Sequence, residues 1–399
     1  MKNSRHNPPH SVVRLWHDSG WRAVAAAFII NGLLLGAWAS RVPAFKEAFE
    51  LQSGTLGLLL LALAAGAIVS FPLAGALSER WGAPRLTILC TWAYLPALIF
   101  LALAPGIGFL ALTLFIFGAL HGAMDVAMNG WGAQVESRLE KNTLSIFHAM
   151  FSLGTGLGAA TGFVAASFGA GPLTHFCVVA VIGAATMIMF VLPSQTNLSH
   201  PSNRTTSSLS EPSSPLIAFP SGTLFLIGLI AFATSMGEGA MVDWSATFLK
   251  EVTLVSEAQA TLGFIAFSIM MVCTRLAGGF ITEQLGPVTT TRVSGAVALM
   301  GLCVIIAANQ LTVTLIGFAL VGAGYAIVMP LVFSRAANDK TLRPGPAIAS
   351  VATLGYGGLL LGPPVVGFIA QFASLKTSFA ALALLAALSI FLAPKLSVD

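Results

Sequence analysis

Apolar residues run through this chain in long, nearly uninterrupted segments that are separated by short polar loops. About 20 apolar residues in a helix cross a bilayer, whereas the strands of membrane barrels alternate polar and apolar positions. These segments are apolar on every side, which favours helices. The twelve predicted spans are Val24–Val42, Leu56–Leu77, Leu86–Ala104, Ile107–Trp131, Thr143–Phe168, Leu173–Leu192, Gly222–Phe248, Ala258–Ile281, Val288–Ala308, Leu311–Phe333, Ala347–Phe372 and Thr377–Pro394.

The overall composition agrees with a protein whose main solvent is lipid. The chain is 56% hydrophobic and only 9% charged, whereas soluble domains carry about 25% charged residues. The one long polar stretch, Gln195–Pro215, is rich in Ser, Thr and Pro and is typical of a linker. We therefore predict an all-α membrane protein of two six-helix bundles, residues 21–193 and 221–395, with an N-terminal tail (1–20) and a linker (194–220).

The basic residues indicate the orientation in the membrane. If the N-terminus is cytoplasmic, 14 of the 19 Lys and Arg residues fall on the cytoplasmic side, as the positive-inside rule requires. We expect a multi-pass membrane protein with both termini and the linker in the cytoplasm. The positive net charge is thus a topology signal, and no nucleic-acid partner is expected. The four cysteines all lie in apolar spans, so we expect no disulfide.

The chain contains an internal repeat. The segment Gly75–Gly82 has the sequence GALSERWG, and Gly279–Gly286, 204 residues later, has GFITEQLG. Gly118 and Gly322 are related by the same offset. A duplication of hydrophobic, multi-helix halves is the architecture of many secondary transporters.

The loop motif also carries a family resemblance. Segment Gly75–Gly82 resembles the Gly-x-x-x-Asp-Arg-x-Gly signature of the major facilitator superfamily, with Glu79 in place of Asp. Asp125 and Asn129 in the fourth span, and Glu238 with Asp243-Trp244 in the seventh, resemble the fucose-permease branch and one of its bacterial inner-membrane subfamilies. The resemblance implies alternating-access transport of a small polar solute, coupled to protons. In one departure, Ala39 stands where sugar symporters of this branch carry an acid, which disfavours L-fucose.

Ionisable groups within the spans are the candidate functional residues, since a carboxylate in hydrocarbon is costly unless it is paired, hydrated or protonated. His121, Asp125 and Asn129 are spaced by four and form one polar stripe on a helix. Such a stripe faces a cavity or other polar groups. We expect it to bind substrate and protons; the alternative is a structural hydrogen bond between helices.

Further candidates lie in other spans. We expect Glu238 to line the cavity and Asp243 to act in an outer gate, unless Asp243 is an interfacial acid paired with Arg41 or Lys250. His148 is a candidate proton relay or substrate contact, and the alternative is a packing histidine. Tyr325 is a candidate ligand contact, and the alternative is a core tyrosine. Trp38 and Trp244 stack on the ligand, close the outer vestibule or belong to an interfacial belt.

A charged set at the cytoplasmic helix ends completes the predicted site residues. The resemblance implies that such charges hold the halves together while the cavity is open to the outside. We call this set the gating cluster: Glu79, Arg80, Arg85, Arg138, Arg275 and Glu283. For Arg275 the alternative is a side chain that extends to the lipid headgroups.

Together these features predict a secondary transporter for a small polar organic solute, with sugar-related compounds among the candidates. Anionic substrates are disfavoured because hardly any basic residue is expected deep in the cavity. The alternative is a proton-driven exporter of drug-like or sugar-like compounds. A non-transporting receptor would need an output domain, and an enzyme would need a metal cluster or a nucleophile–base pair. We expect a monomer in the lipid bilayer that uses neither metal nor cofactor.

Overall fold

The computed structural model describes residues 15–139, 143–197, 222–339, 342 and 344–397. Most of the predicted tail (1–20) and most of the predicted linker (194–220) lie outside these residues. The described chain is helical and contains no strand. Its helices are α1 Ser19–Ala48, α2 Ser53–Trp81, α3 Ala83–Ala102, α4 Ile107–Leu139, α5 Leu144–Ser167, α6 Pro172–Thr186, α7 Thr223–Val252, α8 Glu257–Ala307, α9 Leu311–Tyr325, α10 Val328–Ala337, α11 Pro344–Phe372 and α12 Leu375–Leu392.

Eleven helical segments in the described ranges are long and apolar enough to cross a membrane. In this count α9 and α10 form one segment, Leu311–Ala337, and α6 continues to Ser194. Large apolar side chains cover the outer surface; Leu73, Phe100 and Phe391 are 63%, 51% and 79% exposed. Soluble proteins rarely expose such patches, so lipid is the solvent that fits this surface.

Helix α8 contains two of the predicted spans. The predicted spans Ala258–Ile281 and Val288–Ala308 fall in one 51-residue helix, which is interrupted by non-helical geometry at Gly286 (φ 73°, ψ 162°). Gly82, its equivalent 204 residues earlier, ends α2 with φ 87° and ψ 138°. Positive φ is favourable only for glycine. The repeat seen in the sequence is therefore a repeat of backbone conformation at these two turns.

Helix packing follows the same repeat. Helix α1 packs on α5 and α2 on α4, while α7 packs on α11 and α8 on α9. A Cβ atom at Gly118 would lie 1.8 Å from the carbonyl oxygen of Leu63, and one at Gly322 would lie 2.1 Å from that of Phe267. Leu63 and Phe267 are also 204 residues apart. Glycine at each position thus permits direct backbone contact between two helices.

The first and second halves of the chain meet through α1–α7, α2–α11 and α5–α8. Several of their polar contacts lie where α1 and α7 finish, which we call the distal end. There Arg41 pairs with Glu257 at 2.6 Å, Lys46 pairs with Glu251, and Lys250 pairs with Glu47. The opposite end, where α1 begins, is called the proximal end.

Candidate functional site

The polar stripe of α4 forms as its spacing predicts. The Asn129 amide donates to the backbone oxygen of Asp125 at 2.9 Å and to its Oδ1 at 3.2 Å. His121 Nδ1 lies 3.3 Å from the Tyr94 hydroxyl. Within the described ranges no cationic group lies within 4 Å of the Asp125 carboxylate. The Asn129 amide therefore orients this carboxylate without neutralising its charge.

A cavity of about 100 Å³ lies among α1, α2, α4, α7 and α11. Its polar lining residues are His121 from the first half and Asp243 and Tyr356 from the second, and the rest of its wall is mainly aliphatic. Asp125, one turn beyond His121, lies within electrostatic range of the Tyr356 hydroxyl. The fold thus brings candidate groups from both halves to one cavity.

Asp243 does not have the partners that the interfacial alternative requires. Arg41 pairs with Glu257, and Lys250 pairs with Glu47. No ion pair involves Asp243 in the part of the chain that the structure describes. Asp243 instead lines the cavity with His121.

A second polar cluster surrounds Arg275 on α8. Its Nη2 lies 3.3 Å from Oε1 of Glu238 on α7, its Nη1 donates to Ser152 Oγ on α5 at 2.5 Å, and its Nε donates to the Ala326 carbonyl at 3.2 Å. His148 lies one turn before Ser152 and interacts electrostatically with the guanidinium. Arg275 therefore links Ser152 of the first half to Glu238 and to the break between α9 and α10 in the second half.

This placement corrects the expected position of Arg275. The residue lies eleven positions before Gly286, or about 16 Å from that turn at the rise of an α-helix. The side chain bonds to three helical segments instead of extending to headgroups or joining the gating cluster. The expectation that hardly any basic residue lies deep between the halves is wrong for Arg275.

Three aromatic candidates are buried. Trp38 and Trp244 are 1% and 0% exposed, so neither lies in a surface belt. Their indole N–H groups have no hydrogen-bond partner among the residues that the structure describes. Tyr325 is 3% exposed, and its ring lies against Gly237. Its hydroxyl also has no hydrogen-bond partner within the described part of the chain. None of the three lines the cavity that contains His121 and Asp243.

The gating cluster is not assembled in this conformation. Glu79, Arg80, Arg85 and Glu283 are exposed, and within the described ranges none of them has an opposite charge within 4 Å. Arg138 pairs at 2.5 Å with Asp18, which caps the start of α1 and belongs to the same half. Among the described residues, the ion pairs between the halves are those of the distal end, and Arg275 adds a hydrogen bond between them.

Comparison with known proteins decides the family. The sequence profile of the Major Facilitator Superfamily matches residues 23–341. The chain belongs to this superfamily. It is 42% identical to an uncharacterised transporter of Sinorhizobium fredii, over 94% of this chain and 98% of that one. It is also 36% identical to an uncharacterised MFS-type transporter of Yersinia pestis, over 90% and 91%, and 31% identical to the membrane protein MosC of Rhizobium meliloti, over 88% and 83%.

Solved structures agree on the fold of this superfamily. The nucleoside transporter NupG, as a D323A mutant, has a TM-score of 0.71 at 12% identity, covering 95% of this chain and 100% of that one. A bacterial homologue of the human lysosomal transporter Spinster, in an inward-facing and occupied conformation, has a TM-score of 0.69 at 14% identity, covering 97% of both chains. The protein is accordingly a multi-pass membrane transporter of the major facilitator superfamily.

Asn31 and the ion pairs of the distal end were not identified as candidate functional residues from the sequence. Asn31 on α1 is 0% exposed, and its amide donates to the His121 carbonyl at 3.4 Å. Its Oδ1 has no hydrogen-bond partner in the described ranges. A single amide in an apolar span was the available signal. Lys46-Glu47 and Lys250-Glu251 are related by the offset of 204, so the internal repeat contained the signal for the distal ion pairs.

A larger hollow of about 680 Å³ lies between α1, α5 and α6. Its lining is mostly aliphatic, and Phe168 and Val178 in its wall are 86% and 53% exposed. None of the site residues predicted from the sequence lines it. In a transporter of this superfamily such a surface suits lipid chains better than a polar solute.

Proposed function

We propose that this protein is a secondary active transporter that moves a small polar organic solute across the cytoplasmic membrane by alternating access, with protons as the coupling ion. One observation carries the proposal. His121 and Asp243, from different halves of the chain, line the same cavity together with Tyr356. Relative movement of the halves would rebuild this cavity and change which side of the membrane reaches it.

The proposed architecture is two six-helix bundles, residues 21–193 and 221–395, that act as a monomer. The turn at Gly286 divides α8 into two spans and gives twelve spans in all, with the termini and the linker (194–220) in the cytoplasm. The distal end then faces the outside and is closed by ion pairs. The exposed gating residues at the proximal end fit an inward-open state, and we propose that they come together when that end closes.

The substrate binds, in this proposal, between the α4 stripe and the Arg275 cluster. Asp125, Asn129 and His121 offer acceptors and donors for hydroxyl groups, as a sugar-related compound requires. Arg275 and Glu238 add a guanidinium and a carboxylate that are 14% and 24% exposed and therefore reachable. Polyols and compounds with one weakly acidic group both fit these groups, and Ala39 disfavours L-fucose.

A second candidate is proton-driven export of drug-like or sugar-like compounds. It is favoured by the cavity wall, where Leu35, Leu60, Leu63 and Leu359 outnumber the polar lining residues. Apolar walls with a few polar groups are typical of sites for amphiphilic ligands. The two functions share the site and differ in substrate and direction.

The test is a ligand screen followed by flux measurements. A thermal-shift screen at two pH values finds compounds that stabilise the purified protein, because specific binding stabilises the native state. Proteoliposomes are then loaded with each compound or exposed to it, with the proton gradient applied in either direction. Gradient-dependent movement of one polar compound supports the proposal. Movement of amphiphilic compounds alone supports the exporter, and binding without movement would refute both.

A further inference from the structure

We propose that His175 is a proton-binding site that controls the distal end: the neutral imidazole holds this end closed, and protonation releases it. This inference rests on the proposed alternating access. His175 lies outside the cavity that contains His121 and Asp243, and it is not one of the candidate carboxylates. It lies at the distal end, which closes the path to the solvent on that side.

Arg41 is the residue through which His175 acts. Its side chain is 1% exposed, and each of its nitrogens has a partner. Nε donates to His175 Nδ1 at 3.2 Å, Nη2 donates to the Ala170 carbonyl at 2.8 Å, and Nη1 donates to Glu257 Oε1 at 2.6 Å. The first two partners belong to the first half of the chain and Glu257 to the second. His175 and Ala170 therefore orient the guanidinium that joins the halves.

The hydrogen bonds define the protonation state of the ring. Nδ1 accepts from Arg41 and therefore carries no proton. Nε2 lies 3.0 Å from Thr161 Oγ1, which donates its own hydrogen to the Gly158 carbonyl at 2.6 Å. The Thr161 oxygen is then an acceptor, and Nε2 supplies the hydrogen. The imidazole in this conformation is the neutral tautomer with its proton on Nε2.

The surroundings make this geometry sensitive to one proton. His175 is 2% exposed. The charged group that faces its ring is Arg41 from α1, with Glu257 of α8 beyond it, whereas α5 contributes Thr161 and Gly162, which do not titrate. A proton on Nδ1 would direct an N–H at the N–H of Arg41 and place two cations about 3 Å apart in a buried site. Arg41 must then move away, and its bond to Glu257 is lost.

Closure of the distal end and protonation of His175 are consequently mutually exclusive. A proton that reaches His175 favours the open distal end, and closure expels that proton by linkage. The reciprocal pairs of Lys46 and Lys250 remain, but Glu251 and Glu47 are 40% and 72% exposed, and exposed ion pairs are weak. Arg41 and Glu257 are 1% and 33% exposed, so theirs is the least exposed of the three ion pairs at this end and is expected to contribute most to closure.

The experiment measures the width of the distal end in protein reconstituted in lipid without substrate. Spin labels are attached at Glu50→Cys and Leu254→Cys, two exposed positions that follow α1 and α7, in a background where the four native cysteines are replaced by serine. Pulsed electron paramagnetic resonance then gives the populations of short and long distances from about pH 8 to about pH 5, which brackets histidine titration.

In the otherwise native protein we expect the ratio of long to short distances to rise about tenfold across this range. His175→Gln, which keeps an acceptor and a donor but does not titrate, should reduce that rise to less than about twofold. The matched control is His17→Gln, which removes an exposed histidine at the proximal end and should keep the full rise. A rise that survives in His175→Gln, or no rise in the parent protein, overturns the proposal.

Two further variants keep the test decisive. If His175→Gln does not yield a monodisperse protein, His175→Asn takes its place. Glu257→Gln removes the charged partner of Arg41 and should raise the long-distance population even at about pH 8; an unchanged population would also overturn the role of this network. Because the measurement uses no substrate, its outcome is independent of whether the proposed solute transport is found.

Discussion

Lys46 on α1 forms an ion pair with Glu251 on α7. The reverse pair, Lys250 with Glu47, lies beside it, and both the lysines and the glutamates are 204 residues apart. The Lys-Glu dipeptide thus occurs twice in the sequence, and each copy pairs with the other. Contacts across a twofold axis have the same reciprocal form. The duplication of the chain therefore supplied both sides of this contact.

A charge exchange tests this contact. Lys46→Glu places two acids in contact and should favour the open distal end, whereas Lys46→Glu combined with Glu251→Lys should restore closure. Exposed pairs contribute about 0.2–1 kcal/mol, so we expect about a two- to fivefold change in the distance populations between Glu50→Cys and Leu254→Cys. A double variant as open as the single one would show that the pairing does not matter.

Glycine substitutions test the close approach of the helices. Gly118→Ala and Gly322→Ala would drive a methyl group into the backbone of Leu63 and Phe267. Overpacking of this kind costs about 1–3 kcal/mol, which should appear as a lower Tm in detergent. Gly75→Ala and Gly279→Ala are the matched controls, because a Cβ atom at either position meets nothing within 4 Å. Equal Tm losses in both sets would contradict this packing.

The pair of Glu238 and Arg275 predicts a coupled effect on stability. Glu238→Gln keeps an acceptor but removes the negative charge beside a largely buried guanidinium; hydrogen bonds to charged groups contribute about 1.5–3 kcal/mol, so we expect a loss of up to that size. Arg275→Gln should cost a similar amount, and the double variant should cost less than the sum. Thermal unfolding of the three variants measures this coupling. Strict additivity would show that the two side chains do not interact.

The family, the helical class and most span positions were predictable because hydrophobic length and glycine spacing are local properties. The polar stripe of α4 was predictable for the same reason, since four-residue spacing places His121, Asp125 and Asn129 on one face. The partner of Arg275 was not predictable, because Glu238 and Ser152 approach it from other helices. His175 was missed since its chemistry depends on Arg41, which lies 134 residues earlier in the chain.

The central claim is that Asp125 carries the proton that drives the solute. Asn129 donates a hydrogen bond to this carboxylate, Tyr356 lies within its electrostatic range, and no cation neutralises it within the described ranges. Asp125→Asn keeps the shape and the hydrogen-bonding capacity of the side chain but removes the titrating group. Binding and exchange of solute should therefore survive, while coupling to protons should not.

The most direct measurement compares two fluxes in proteoliposomes, using a compound found in the ligand screen. The native protein should accumulate it against its gradient when a proton gradient is imposed, and Asp125→Asn should exchange labelled for unlabelled solute without accumulating it. Full proton-driven accumulation by Asp125→Asn would contradict the account.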